Sequence, residues 1–386
     1  MEKLWWEIFI WLLLAFFSSI TSFLTNISSS LIELIFGIVA GNTIKPEITE
    51  WINFLAIFGA VVLTFLAGTE LESEFTRRYW KEAIFLGFAG FFAPFIFVSA
   101  ITYFLLAWNL KQSLISGIAL STTSVAVVYA VMVESGLNET NLGKVILAAC
   151  FVNDLGTVVA LSLIFTKFNF WFYLFSIFMI ILTPIIPFIS NYFFKWVGNH
   201  PSEPEVKFIF VIIALFGFLA VRGNLEAVLP AYIIGAVLAN QFIKNKELVR
   251  RMRATAVSIL TPFYFLKAGS LVDLKVVVSS IMLVIIFFFS KIVAKFLGIF
   301  PLGYLFKFKP RINAYNTLMM STGLTFGTIS ALFGLQNGII NKEQYSILVI
   351  SVILTAIIPT MIANSFFKPV YKHEKALRRF KIRKFY

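Results

Sequence analysis

The sequence predicts an all-α polytopic membrane protein, and three observations carry that prediction. Of its 386 residues, 59% are hydrophobic and only 13% are charged, where a soluble domain carries roughly 25% charged residues. Mean hydropathy is +0.90, and apolar runs of about twenty residues, the length that spans a bilayer core, recur from one end of the chain to the other. Forty-six phenylalanines and eight tryptophans suit lipid-facing helices with aromatic belts at their ends. No soluble domain of useful size is left over.

About thirteen spans can be drawn. The first six lie near 5–23, 27–42, 51–70, 82–107, 112–134 and 141–167. A seventh, near 170–194, precedes the polar break from Gly198 to Glu205, and the last six lie near 206–222, 225–243, 252–270, 275–303, 311–335 and 344–367. The segment from Lys368 to Tyr386 is a basic tail expected at the membrane surface. The N-terminal segment, beginning Met1-Glu2-Lys3, lacks the basic region and the small-residue cleavage site of a signal peptide and is read as a retained helix. The single cysteine, Cys150, excludes an internal disulfide.

A net charge of +13 would point to nucleic acid in a soluble protein; here it reports orientation instead. With an odd number of spans, 22 of the 32 lysines and arginines fall on one side and seven on the other, and Lys267, Lys291 and Lys295 fall within spans. The bias places the C-terminus in the cytoplasm and the N-terminus outside.

The most informative stretch is Ala148 to Ser162 in the sixth span, which carries Asn153 beside Asp154, one of only two aspartates in the chain. A carboxylate at mid-bilayer costs roughly 2.5–3.5 kcal/mol or more, so its presence asks for a function. Thr157 follows one turn on. A structural carboxylate is the bland reading; exchange of a proton or a cation is the functional one.

The arrangement of six spans, one and six invites comparison of the halves, since many secondary transporters are inverted repeats about a linker helix. The fifth span carries Ser121-Thr122-Thr123-Ser124, and its counterpart, the twelfth, carries Ser321-Thr322-Gly323-Leu324-Thr325-Phe326-Gly327-Thr328. Such residues also serve plain close packing between membrane helices. Their matching placement points instead to two interrupted helices whose freed carbonyls and half-helix ends could coordinate a cation. Lys291 and Lys295 stand one turn apart on one face of the eleventh span. Lys295 could snorkel to the membrane surface, whereas Lys291 is read as a counter-charge or second titrating group. Lys267 has no assigned role.

Enzyme readings find little support. The only histidines, His200 and His373, lie in a polar loop and in the tail, and no cysteine pair is present, so zinc ligation is not expected. A membrane aspartyl protease needs two carboxylates at one site, and Asp273 lies at a helix boundary. No phosphate-binding glycine loop appears, and no cofactor is expected.

Taken in order, several stretches resemble the monovalent cation:proton antiporter superfamily, in its second branch of sodium/proton and potassium/proton exchangers. They are Leu31–Gly41, Leu63–Leu71, the hydroxyl run of the fifth span, Asn153-Asp154, Thr261–Gly269, Lys295-Phe296-Leu297-Gly298 and Met320–Gly323. The resemblance implies the sodium/proton antiporter fold, with two broken helices that cross. It also implies a homodimer in which a core domain (82–167 and 275–367) moves like an elevator against a dimerisation domain (1–81 and 168–274), with 368–386 as cytoplasmic tail. Asp154 matches the essential carboxylate that takes cation or proton in turn. Thr122 and Thr123 match the oxygen-bearing positions of the broken helix, with Asn153 beside them, and Lys295 matches the family's lysine, with Lys291 in reserve. Ser124, Thr157, Ser321 and Thr322 are supporting residues.

Members with two adjacent aspartates are electrogenic, and here the first position is Asn153, so one-for-one exchange of sodium or lithium for protons is expected. The expected partners are small cations, protons and membrane lipid, with no nucleic acid, in a cell inner membrane. Alternatives of other kinds are a potassium/proton exchanger or potassium efflux system of the same fold, a non-transporting membrane sensor, and a sodium:organic-anion symporter.

Overall fold

The computed structural model describes residues 2–25, 27–69, 79–134, 137, 140–165, 169–198, 200–223, 225 and 227–369. Residues 370–386 of the basic tail expected over 368–386, and most of the loop joining the third and fourth spans, lie outside the described residues. Every regular element among the described residues is helical.

Helices α1 (Glu2–Thr25), α2 (Ser29–Asn42), α3 (Glu50–Thr69) and α4 (Trp80–Ala100, continued by a π-turn at Ile101–Leu105) form the first four spans. The fifth is broken into α5 (Leu110–Ser121) and α6 (Val125–Glu134), and α7 (Asn141–Phe165) is the sixth. Asn109 opens α5 with a capping box: its side chain accepts from the Gln112 backbone while Gln112 accepts from its own.

The seventh span departs from the single helix expected. It is two helices, α8 (Phe170–Leu182) and α9 (Ile186–Val197), bent by 55°. Pro184 lies in the break, where it has no N–H to continue the ladder.

The second half begins with α10 (Pro204–Arg222) and α11 (Val228–Lys244). The tenth span is preceded by the amphipathic, charged α12 (Lys246–Thr255), whose first turn is capped by the Asn245 side chain. A π-turn (Ala256–Leu260) then leads into α13 (Thr261–Ser270). Asp273 caps α14 (Leu274–Ser279), so the second aspartate of the chain has a purely local role. There follow α15 (Ile281–Leu305), the broken pair α16 (Pro310–Met319) and α17 (Thr325–Gln336), and α18 (Lys342–Ile362) with a final π-turn at Ala363–Phe367.

Among the described residues, seven helices are individually long and apolar enough to cross a membrane, or eight with the bent α8–α9 pair. The other stretches expected as spans are helical but shorter, broken or more polar.

The inverted repeat is visible in the packing. Gly68 of α3 and Gly235 of α11 let those helices touch backbone to backbone, Gly68 lying against the Tyr232 carbonyl and Gly235 against that of Phe65. Gly37 of α2 and Gly269 of α13 do the same against Leu266 and Leu34. Exchanging the halves turns the pair of third and ninth spans into the pair of tenth and second, so these two contacts are the same contact made twice. A side chain at any of the four glycines would push the backbones apart, the small-residue logic of membrane helix pairs.

Candidate ion-binding site

The two broken spans meet. At the end of α5, Thr122 leaves the helix in an extended conformation (φ −62°, ψ 154°), and Leu324 precedes α17 at φ −151°, ψ −78°. Across the gap the Ser124 N–H donates to the Thr322 carbonyl at 3.1 Å, and the Thr123 hydroxyl donates to the Met320 carbonyl at 2.9 Å. Two carbonyl-bearing helix ends, of α5 and α16, thus face two N–H-bearing ends, of α6 and α17, so that the partial charges of four helix termini converge on one place.

Helix α7 runs past this crossing and delivers Asn153 and Asp154, which are 0% and 2% exposed. The Asn153 amide nitrogen donates to the Ser121 carbonyl at 3.2 Å, the last residue of α5, while its Oδ1 is buried with no hydrogen-bond partner. Thr157 is spent locally, its hydroxyl donating to the Asn153 carbonyl at 3.1 Å. The Asn153 amide and the Met320 methyl group both lie over Gly90 of α4, which has no side chain to keep them apart.

The two lysines of α15 are both fully buried. Lys295 does not snorkel: its ammonium donates to the Thr123 hydroxyl at 2.9 Å, so that Lys295, Thr123 and the Met320 carbonyl form one chain of hydrogen bonds through the crossing. Lys291 donates to Thr355 of α18 at 3.2 Å and lies over Gly323, where a Cβ would collide with its ammonium. Asp154 interacts electrostatically with both ammonium groups.

All the singled-out residues except Lys267 are therefore brought to one buried region, though not in equal roles. Thr122, Ser321 and Thr322 hydrogen-bond carbonyls of their own helices, to Ala119, Thr317 and Met319. Ser124 contributes its backbone N–H to the crossing. Lys267 belongs elsewhere, hydrogen-bonded to Asn53 of α3. Thr355 was not legible as a partner, since a single threonine in an apolar helix gives no signal. No cluster of three or more His, Cys, Asp or Glu side chains among the described residues could hold a tightly bound metal. What the region offers is one carboxylate, neutral oxygens and two fixed amines in a buried crossing, suited to a weakly held monovalent ion or a proton.

The transmembrane sodium/hydrogen exchanger family matches residues 11–368. The chain belongs to this family. Among its relatives, a probable sodium/proton antiporter of Methanocaldococcus jannaschii is 24% identical over 87% of this chain and 91% of its own. A sodium/proton antiporter of Enterococcus hirae is 25% identical over 88% of this chain and 91% of its own. The solved structure of the sodium proton antiporter MjNhaP1 from Methanocaldococcus jannaschii at pH 8 is similar in fold, with a TM-score of 0.68 at 14% identity, covering 95% of this chain and all of that one.

Proposed function

We propose that this family member exchanges cytoplasmic sodium, or lithium, for external protons by competition at Asp154. The observation that carries the reading is the placement of a buried Asp154 beside two helix breaks that hydrogen-bond to each other. The family match and the sodium/proton antiporters among the relatives support sodium as the cation. Competition needs no separate coupling device. A carboxylate cannot hold sodium and a proton at once, and an empty anionic carboxylate is costly to carry through an apolar seam.

Thr123 and Asn153 supply neutral oxygens beside the carboxylate, and Lys295 holds Thr123 in place. With Asn153 neutral, one sodium replaces one proton and no net charge crosses. The moving unit is 82–167 with 275–367, and the static unit is 1–81 with 168–274, paired with a second copy. Three buried tyrosine hydroxyls bridge these units: Tyr232 to the Phe151 carbonyl, Tyr264 to Thr328 and Tyr345 to the Ala268 carbonyl. The basic bias of the loops supports a cytoplasmic C-terminus, and the chain is taken to lie in a cell inner membrane.

The test is exchange in proteoliposomes against a pH gradient with sodium, lithium and potassium, with and without a clamped potential. Sodium- and lithium-driven pH change that is indifferent to potential is expected. A potassium-only response overturns the ion assignment, and a shift of the equilibrium with potential overturns one-for-one exchange.

A further inference from the structure

The helices of the crossing run in step between the two halves of the chain. Helix α15 begins at Ile281 and α4 at Trp80, α16 at Pro310 and α5 at Leu110, α17 at Thr325 and α6 at Val125, α18 at Lys342 and α7 at Asn141, a displacement of 200 or 201 residues each time. The same displacement carries Asp154 to Thr355, Thr123 to Gly323 and Gly90 to Lys291. The repeat therefore makes two places in the crossing equivalent. One holds the carboxylate and Thr123; the other has a hydroxyl where the carboxylate stands and no side chain where Thr123 stands.

Lys291 fills that second place. A Cβ on Gly323 would collide with the Lys291 Nζ, and the same point lies 3.0 Å from the Thr122 Oγ1 and 3.3 Å from the Thr355 Oγ1. One nitrogen and two hydroxyl oxygens thus converge on the break in the twelfth span, and the side chains that bring them are all 0% exposed. Both oxygens are turned to accept. The Thr122 hydroxyl gives its proton to the Ala119 carbonyl at 3.1 Å and the Thr355 hydroxyl gives its own to the Val352 carbonyl at 2.8 Å, so each has lone pairs to offer, and Thr355 already receives the Lys291 amine at 3.2 Å. Hard cations take oxygen ligands, and interrupted helices are where membrane transporters hold them. This chain puts a side-chain nitrogen there. The counterpart of Lys291 in the first half is Gly90, which has no side chain to extend toward the crossing.

We propose that Lys291 is a tethered occupant of a second cation position, formed by Thr122 and Thr355 beside Gly323, and that it limits each chain to the one sodium ion at Asp154. The inference rests on the reading of the chain as a sodium/proton exchanger through Asp154. It supplies what one-for-one exchange needs: an occupant fixed to the chain is never released, so only the load on Asp154 differs between the two directions of transport. The hydroxyls of Thr122 and Thr355 are thereby specificity-determining residues held in check, and Gly323 is the residue that leaves room for the nitrogen.

Lys291→Ala and Lys291→Met separate an occupant from a strut. Binding of radioactive sodium to the purified protein at alkaline pH should double, from one ion per chain in the wild type to two in Lys291→Ala, which clears the position, and should stay at one in Lys291→Met, whose side chain still fills it. Adding Thr355→Val to Lys291→Ala should remove the second ion again. Asp154→Asn should bind none, whereas Asp154→Asn combined with Lys291→Ala should bind one. Lys291→Ser serves if Lys291→Ala does not fold. A single ion per chain in folded Lys291→Ala or Lys291→Ser, or a second ion in Lys291→Met, overturns the proposal and leaves Lys291 as a strut between α15 and α18. Failure of the underlying reading is distinguishable: the wild type would bind no sodium, or Asp154→Asn alone would keep its ion.

Discussion

The chain of hydrogen bonds from Lys295 through Thr123 to Met320 makes a quantitative prediction. Thr123→Val keeps the shape of the side chain and deletes one hydroxyl, which removes two bonds: the one it donates to the Met320 carbonyl and the one it accepts from the Lys295 ammonium. Neutral side-chain bonds between membrane helices are worth about 0.6 kcal/mol on average, whereas a bond to a charged group is worth roughly 1.5–3 kcal/mol. The lysine bond therefore dominates, and the two together amount to about 2–3.5 kcal/mol. Lys295→Met removes the same ammonium contact from the other side. In a double-mutant cycle the two changes should be less than additive by about 1–2 kcal/mol, read as thermal stability of the purified protein at one fixed scan rate. Strictly additive losses would mean that Lys295 and Thr123 do not share a bond, and the link between the lysine and the crossing would fall.

Other consequences follow from contacts outside the crossing. Arg251 of α12 donates to Glu203 at 2.7 Å and to Glu205 at 2.6 Å, and Glu205 is 1% exposed; Arg251→Ala removes the guanidinium from that buried carboxylate and should cost about 3–5 kcal/mol, visible as a drop in melting temperature. The Arg250 guanidinium beside Glu247 holds its carboxyl below the ordinary value of 4.5. That pair's contribution is present above the ordinary value and is lost only as pH falls through the depressed one. The pH profile of exchange between about 6 and 9 should therefore be the same in Glu247→Gln as in the wild type, and a shifted profile would make this surface pair a pH sensor. Tyr264→Phe deletes a bond to Thr328, whose hydroxyl keeps its contacts with the Leu324 and Thr325 carbonyls. It should lower stability by only about 0.5–1.5 kcal/mol while changing the maximal exchange rate, and an unchanged rate would show that this tyrosine does not restrain the moving unit.

What the sequence made legible follows from the cost of polar groups in lipid. Asp154, the hydroxyl runs and the buried lysines stand out because each is expensive in an apolar helix, and the structure brings all of them except Lys267 to one region. Spacing alone put Lys291 and Lys295 on one face of a helix, but what each faces is set by other helices: Thr123 comes from α5–α6 and Thr355 from α18. Arg251 and Glu205 are 46 residues apart, and no local pattern announces their pairing. The bend at Pro184 was masked by the continuous hydropathy of the seventh span, since hydropathy counts apolar residues and not missing N–H groups.

The central claim is that sodium and a proton occupy the same carboxylate, and proton release on sodium binding tests it most directly. Sodium added to purified protein in weakly buffered solution should release about one proton per ion bound, and its apparent affinity should fall about tenfold for each pH unit below the titration of the site. Both effects should vanish in Asp154→Asn. Sodium binding that releases no proton, or that survives Asp154→Asn with its affinity intact, would contradict the account.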